Sequence, residues 1–534
     1  MKPINQILLA LLSGLLLALP WMGLAPGWIL FVGLVPLLAL ENNFDRSKTT
    51  SSASQFFRYA FLAFFIWNLL SCWWIMRSHL VGMLTIVSMN ALLMAGVWWL
   101  FHLMKRRFNV GLGYFSFLAF WLAFEYIHFN WDLEWPWMTL GNGFANQVKL
   151  IQWYEYTGVL GGSAWILGTN LLIYRAIERS RQKQWFHVFG RGTLAILLVL
   201  VPALISKRLY NQQALGGEET CHVLVLQPNV NSQSEKFKEG NEYKQQKQLI
   251  YWVDSLVDEQ TDFVLAPETA LPVVISSDSL AYSKWLAPFV HRTDKAAMPD
   301  IALGVYTRED YSAEDRSATA RYDDETKSYF DVYNAALLVN ASGDIQEYRK
   351  NKLVSGVEKM PYSRYFSWIE RFVVDMGGVT GSLGRTEMPS VVKASDGVLI
   401  APVICFESVF GANIGQQVKQ GANLIFILTN DGWWEDAEGI QQHLALARLR
   451  AIETRRSIAR SANTGISAFI DKYGNLLQVS AWNQEVALKG ELELSHELTF
   501  YVQNGDYLGR ASLFVSVMLL LYLLVQRQVK KEER

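Results

Sequence analysis

The uneven distribution of apolar residues limits the fold of this chain more than any other feature. Long apolar stretches fill residues 1–207 and again 507–526, whereas 215–500 have the mixed character of an ordinary globular domain. A helix that crosses a bilayer needs about 20 predominantly apolar residues. Eight candidates meet that description, at roughly 5–22, 25–41, 57–76, 80–104, 111–130, 159–177, 192–207 and 507–526. The first resembles a signal peptide, with Lys2 ahead of an apolar run. Ala25, Pro26 and Gly27 nevertheless lead straight into a second span, which favours a tight hairpin over a cleavage site. The expected plan is an α-helical membrane bundle of about eight transmembrane helices with a soluble domain inserted before the last helix. Its segments are 1–210, 215–500 and 505–534.

Charge orients this plan. The net charge of −1 gives no basic excess for a nucleic-acid partner. Basic residues instead crowd alternate connections: Arg46, Lys48 and Arg58; Lys105, Arg106 and Arg107; Arg175, Arg179, Arg181, Lys183 and Arg191; then Arg527, Lys530, Lys531 and Arg534. The intervening connections carry few, chiefly Arg77 and Lys149, with Lys207 and Arg208 at the exit of the seventh span. Positively charged loops stay in the cytoplasm, so both termini are expected there and 215–500 outside. The outer connection 131–158 is rich in Trp, Tyr and Phe. It reads either as an interfacial aromatic belt or as a lipid-entry surface involving Trp135, Pro136 and Trp137.

Within 215–500 short, continuously apolar runs at 222–227, 263–266, 301–306, 334–339, 399–404, 423–428 and 465–470 predict strands buried on both faces. Helical periodicity covers 239–258 and 439–460. Layered α/β packing follows, with the polar stretch 308–330 as a surface excursion.

Polar residues gather where these strands end, which is where α/β sheets place their sites. Glu268 follows one strand and Cys405 another. A third leads into Asn430, Asp431, Trp433 and Trp434. Between the first two lies EYRKNKLVSGVEKMPY (347–362), with Lys350, Lys352 and Glu358. A carboxylate, an amine and a thiol in one crevice suit acyl transfer. The acid takes the thiol proton, the thiolate attacks, and an ammonium with the backbone N–H of Phe406 holds the oxyanion. Taken singly, each residue also has an ordinary reading: Cys405 as a buried structural thiol, Glu268 as a cap or turn residue, Lys350 as a surface charge, and Glu358 and Glu407 as solvated or paired acids. Three cysteines (Cys72, Cys221, Cys405) form no disulfide framework. The scattered His residues show no metal-ligand spacing, and no nucleotide-binding glycine loop occurs. Neither a metal nor a cofactor is expected.

With these blocks in view, the chain resembles the bacterial apolipoprotein N-acyltransferases, membrane enzymes that carry an extracytoplasmic domain of the nitrilase (carbon–nitrogen hydrolase) superfamily. The segments that carry the likeness are APETALP around Glu268, YRKNKLVSGVE around Lys350 and Glu358, and VICFESVF around Cys405. TNDGWW, HLALARLRAIETRRSIARSANTG, WPWMTLGN and TGVLGGSAWILGTN extend it over nearly the whole chain. The resemblance implies an αββα sandwich for the inserted domain. It implies Glu268 as general base, Lys350 rather than Lys352 as catalytic lysine, Cys405 as nucleophile, and Glu358 and Glu407 in support. Trp137, Asn430, Trp433 and Trp434 are possible substrate contacts. The implied donor is a phospholipid, typically phosphatidylethanolamine, and the implied acceptor is the α-amine of a diacylated apolipoprotein at the bacterial inner membrane. Ser355 stands where many members have proline, which bears on the shape of the acyl pocket. Residues 359–385 are expected to form either a membrane-touching gate or a surface helix and loop. A membrane-tethered amidase and a non-catalytic lipoprotein receptor are the competing readings.

Overall fold

The computed structural model describes all residues except 1, 48–51, 212–218, 292–297, 318, 363–381, 435 and 533–534. The gate expected at 359–385 therefore falls mostly outside the described residues. The chain divides into two compact units, Met1–Ala214 with Asn504–Arg534, and Leu215–Gln503.

The first unit is helical. Among the described residues six helices are long and apolar enough to cross a membrane: Gly27–Asp45, Ser52–Arg77, Leu80–Arg107, Val110–Asn130, Trp185–Asn211 and Tyr507–Gln526. The remaining two expected spans fall on Pro3–Ala18, which has only 16 residues, and on Tyr154–Arg181. The latter is long enough, but Gly158 interrupts it at φ 60 and Ser163, Thr169 and Asn170 dilute its apolar character. Trp185–Asn211 is apolar yet mostly exposed: Leu194, Ile196, Leu197, Leu200 and Leu204 all face outward. Such a surface is a liability in water and ordinary in hydrocarbon. The interior is filled by rings instead, with Phe64, Trp67, Trp98 and Trp121 fully buried and the three indoles each packed against Phe64. Helix starts are capped locally, as where Asn109 Oδ1 accepts from Leu112 N at 2.9 Å. The aromatic connection turns inward. Trp137 is 2% exposed and stacks on Trp135 at 5.9 Å and against Trp74 at 5.3 Å.

The second unit is a four-layer αββα sandwich. One sheet runs β14-β1-β2-β4-β6-β5, with β3 on β4 and β7 on β6. It contains β1 (Thr220–Gln227), β2 (Phe263–Leu265), β3 (Val274–Ser276), β4 (Asp300–Tyr311), β5 (Arg321–Asp323), β6 (Ser328–Val339), β7 (Ile345–Arg349) and β14 (Val486–Glu493). The other runs β13-β12-β11-β10-β9-β8, from β8 (Val392–Lys393), β9 (Leu399–Ile404), β10 (Leu424–Thr429), β11 (Ile458–Ala462), β12 (Ala468–Ile470) and β13 (Leu476–Val479). Strand periodicity explains the continuous apolar runs. Val223 and Val225 of β1 meet Leu424, Phe426 and Leu428 of β10 between the sheets. Leu224 and Leu226 turn the other way, onto the helix Asn241–Leu256, and Ile425 and Ile427 onto the helices Gly411–Lys419 and Ala437–Thr454.

Three expectations need correction. The helix expected over 439–460 stops at Thr454, because Arg455 takes the left-handed conformation (φ 51) and the chain re-enters the sheet as β11. The run expected as a strand at 465–470 is extended only over Ala468–Ile470. The stretch 308–330 is no excursion at its ends. β4 continues to Tyr311 and β6 begins at Ser328, with cross-strand ion pairs such as Arg308–Asp323 at 2.8 Å replacing apolar burial.

Candidate active site

Glu268 follows β2, where Pro267 ends the ladder and Thr269 takes φ 48. That turn lies directly on Gly304 of β4: a Cβ there would come within 2.7 Å of Glu268 Cα. The absence of a side chain at 304 thus permits the close approach. Lys350 follows β7, and its N–H donates to the Asn334 carbonyl of β6 at 2.9 Å. Cys405 follows β9 and opens a tight turn, Cys405–Val409, with its own φ at 50. A non-glycine residue rarely adopts that conformation, and such strain concentrates at functional sites.

The three side chains converge. Lys350 Nζ is 3.3 Å from Glu268 Oε1 and 2.8 Å from Glu358 Oε1, and is 1% exposed. Asn334 Nδ2 donates to the same two oxygens, at 2.7 and 3.0 Å. Cys405 lies in the electrostatic reach of Glu268, Lys350 and Asp431. Burial and then the Glu268 carboxylate push the thiol well above its ordinary range, with Lys350 opposing. Burial acts to lower Lys350, but Glu358 and Glu268 outweigh it and hold the ammonium charged. The site therefore holds a protonated thiol, two acids and a fixed positive charge. A thiol in that state reacts only when a base removes its proton, and Glu268 is the acid whose charge acts most strongly on it.

Glu407 is placed differently. It is fully buried and accepts from Ile404 N (2.7 Å), Asn351 N (2.8 Å), Lys352 N (3.3 Å) and Tyr348 Oη (2.9 Å). It ties the Lys350 loop to the Cys405 turn, and burial raises its carboxyl to about 7. Phe406 sits edge-on to Phe410 at 5.2 Å. Asn430 is buried and bonded to Ser232 (2.8 Å) and Asn463 (3.0 Å), so it braces two loops. Trp433 stacks on Phe237 at 5.9 Å and 10°, and Trp434 lies edge-on to His443 at 5.6 Å. Trp137 belongs to the first unit. Among the described residues no cluster of three His, Cys, Asp or Glu is arranged to hold a metal.

Two neighbours escaped the sequence reading. Asn334 is a single amide midway along β6. Lys236 is 1% exposed, donates to the Glu268 carbonyl oxygen at 2.9 Å, and is lowered by burial to about 7. A polar residue opening the apolar run 334–339 was the available signal for the first. Lys236 lies in a polar segment and gave none.

The carbon–nitrogen hydrolase family model matches residues 227–496, half of the chain. The chain belongs to the carbon–nitrogen hydrolase family. Its strands β2, β7 and β9 thus deliver Glu268, Lys350 and Cys405 within a carbon–nitrogen hydrolase domain. The model of the apolipoprotein N-acyltransferase N-terminal domain matches residues 13–172. The chain is 29% identical over 538 residues to a protein of Chlorobaculum tepidum named apolipoprotein N-acyltransferase, covering 97% of each. Proteins of the same name from Geobacter metallireducens (27%, covering 94% of this chain and 92% of that one) and Thermotoga maritima (25%, 96% and 93%) are also similar.

Proposed function

We propose that this membrane-bound member of the carbon–nitrogen hydrolase family is an apolipoprotein N-acyltransferase that works through a thioester on Cys405. The observation that carries this reading is the pairing of Lys350 with Glu268 and Glu358, with Glu268 and Lys350 acting on Cys405, in a chain that also matches the acyltransferase N-terminal model. Relatives of that name align over nearly their full length.

In the first half-reaction Glu268 takes the thiol proton and the sulfur attacks an ester carbonyl of a phospholipid, such as the sn-1 ester of phosphatidylethanolamine. Lys350 and the Phe406 N–H hold the oxyanion. The carbon–oxygen bond breaks, Glu268 returns its proton to the leaving alcohol, and a lysophospholipid departs. In the second half the α-amine of a diacylglyceryl-cysteine attacks the thioester. Glu268 takes the amine proton, the carbon–sulfur bond breaks, and the proton returns to sulfur. Glu358 and Asn334 keep Lys350 and Glu268 aligned throughout. Trp433, Trp434 and Asn430 shape the approach of substrate. Anchoring in the membrane lets both lipid chains stay in hydrocarbon, where transfer to water would cost about 0.8 kcal/mol per CH2. The basic loops favour cytoplasmic termini with the 215–500 domain on the periplasmic side of the inner membrane.

The test is mass spectrometry of purified protein incubated with acyl-labelled phospholipid. An acyl adduct on Cys405, discharged onto the amine of an added diacylated lipopeptide, is the expected result. Discharge to water alone would instead identify a hydrolase, and no adduct at all would remove the reading.

A further inference from the structure

A buried ionic cluster lies behind Cys405 and takes no part in the steps above. Asp431, which follows β10, His443 on the helix Ala437–Thr454, and Arg460 of β11 are each 0% exposed. Asp431 Oδ2 accepts from Arg460 Nη2 at 2.6 Å, and Asp431 Oδ1 lies 2.8 Å from His443 Nδ1. Arg460 Nη2 is also 3.2 Å from that nitrogen. A guanidinium only donates and a carboxylate only accepts, so the shorter contact assigns an Nδ1–H directed at Asp431.

This cluster reaches Cys405 through its backbone. His443 Nε2 is 3.2 Å from the Cys405 carbonyl oxygen and 2.8 Å from Ser408 Oγ, which is itself 2.8 Å from that carbonyl. Ring edge, hydroxyl and carbonyl form a closed triangle in which the single Ser408 proton is shared between two acceptors. The residue so held has φ 50, a backbone state that relaxes unless its surroundings fix it. Relaxation would swing the sulfur away from Glu268.

We propose that His443, braced by Asp431 and Arg460, is a positioning residue that aims the Cys405 sulfur through the Cys405 carbonyl and Ser408. The inference rests on Cys405 being the nucleophile. Histidine suits the place because its two nitrogens reach the anchor and the triangle at once. Glutamine can put an amide at the Nε2 position, asparagine only at Nδ1, and leucine at neither.

The test is single-turnover acylation of Cys405 by labelled phospholipid, followed over a range of donor concentrations, with thermal melting as the control for folding. Absence of any adduct on Cys405 in the wild type would defeat the nucleophile reading itself. Given a wild-type adduct, His443→Leu and His443→Asn should each lower the limiting rate about 100-fold, the scale of a small misplacement of reacting atoms. The half-saturating donor concentration should not change. His443→Gln should recover to within about tenfold of wild type. A wild-type rate in His443→Leu, or equal losses in His443→Gln and His443→Leu, would overturn the proposal. Should the leucine variant fail to melt cooperatively, Ser408→Ala makes a smaller cut at the same carbonyl. A limiting rate about tenfold lower at unchanged half-saturation is then expected, and an unchanged rate overturns the idea.

Discussion

At the scale of single residues, the candidate site depends on acids held by neutral donors. Asn334 donates to both Glu268 and Glu358, while Lys350 sits between the same two carboxylates. Asn334→Ala should leave Glu268 Oε1 bound to Lys350 alone at 3.3 Å and slow thioester formation about 10- to 100-fold. Single-turnover labelling of Cys405 reads this directly. Glu407 makes a separate prediction about pH. Burial raises its folded carboxyl to about 7, above an unfolded value near 4.5. The folded state therefore holds this proton where the unfolded state has lost it. The associated stability is complete below about pH 4.5 and is lost as pH rises through about 7. Glu407→Gln removes that titration. Its melting temperature should fall less than that of the wild type between those limits, although the variant starts lower through the loss of one buried acceptor, about 1–3 kcal/mol. Parallel melting-against-pH curves would show the assignment to be wrong.

At the scale of elements, the strands place the chemistry and their edges decide how well. The Glu268 turn rests on β4 at Gly304, with no room for a methyl group. Gly304→Ala should push Glu268 away from Lys350 and Cys405 and lower acylation about 100-fold, with the loss appearing in the rate more than in melting temperature. Full activity in this variant would mean that Glu268 does not need its present position. Elements also show where sequence patterns stop short. The helix expected to run to 460 ends at Thr454, and the apolar pair Ile458 and Ala459 fits a strand buried between the facing sheet and the helices as well as it fits a helix. The polar arm built from the ends of β4 and β6 with β5 was unreadable for the opposite reason. Its register is set by partner strands and ion pairs, and its own residues carry no apolar period.

At the scale of the whole molecule, orientation in the membrane is the open consequence of the charge pattern. A cysteine introduced at Tyr322, which is 51% exposed in the second unit, should react with a membrane-impermeant maleimide in spheroplasts, measured against the wild-type background. One introduced at Arg181, in a basic connection, should react only after the membrane is permeabilised. The reverse pattern would place the second unit in the cytoplasm.

The sequence by itself determined the long apolar helices, the layered α/β domain between them and the ordered Glu, Lys and Cys blocks, because each is written in local composition or at a strand end. Only tertiary structure decided what surrounds those blocks. Asn334 reaches two acids because β6 lies between β4 and β7. Glu407 became a brace because the end of β9 and the loop after Lys350 point their N–H groups at it. The Asp431–His443–Arg460 cluster joins residues from a loop, a helix and a strand. Trp137, an aromatic that composition alone could place at a lipid surface, turned inward against Trp74. Short-range patterns record which face of an element is apolar. They carry no record of which distant polar groups will share a buried space, since that follows from the order of strands in the sheets.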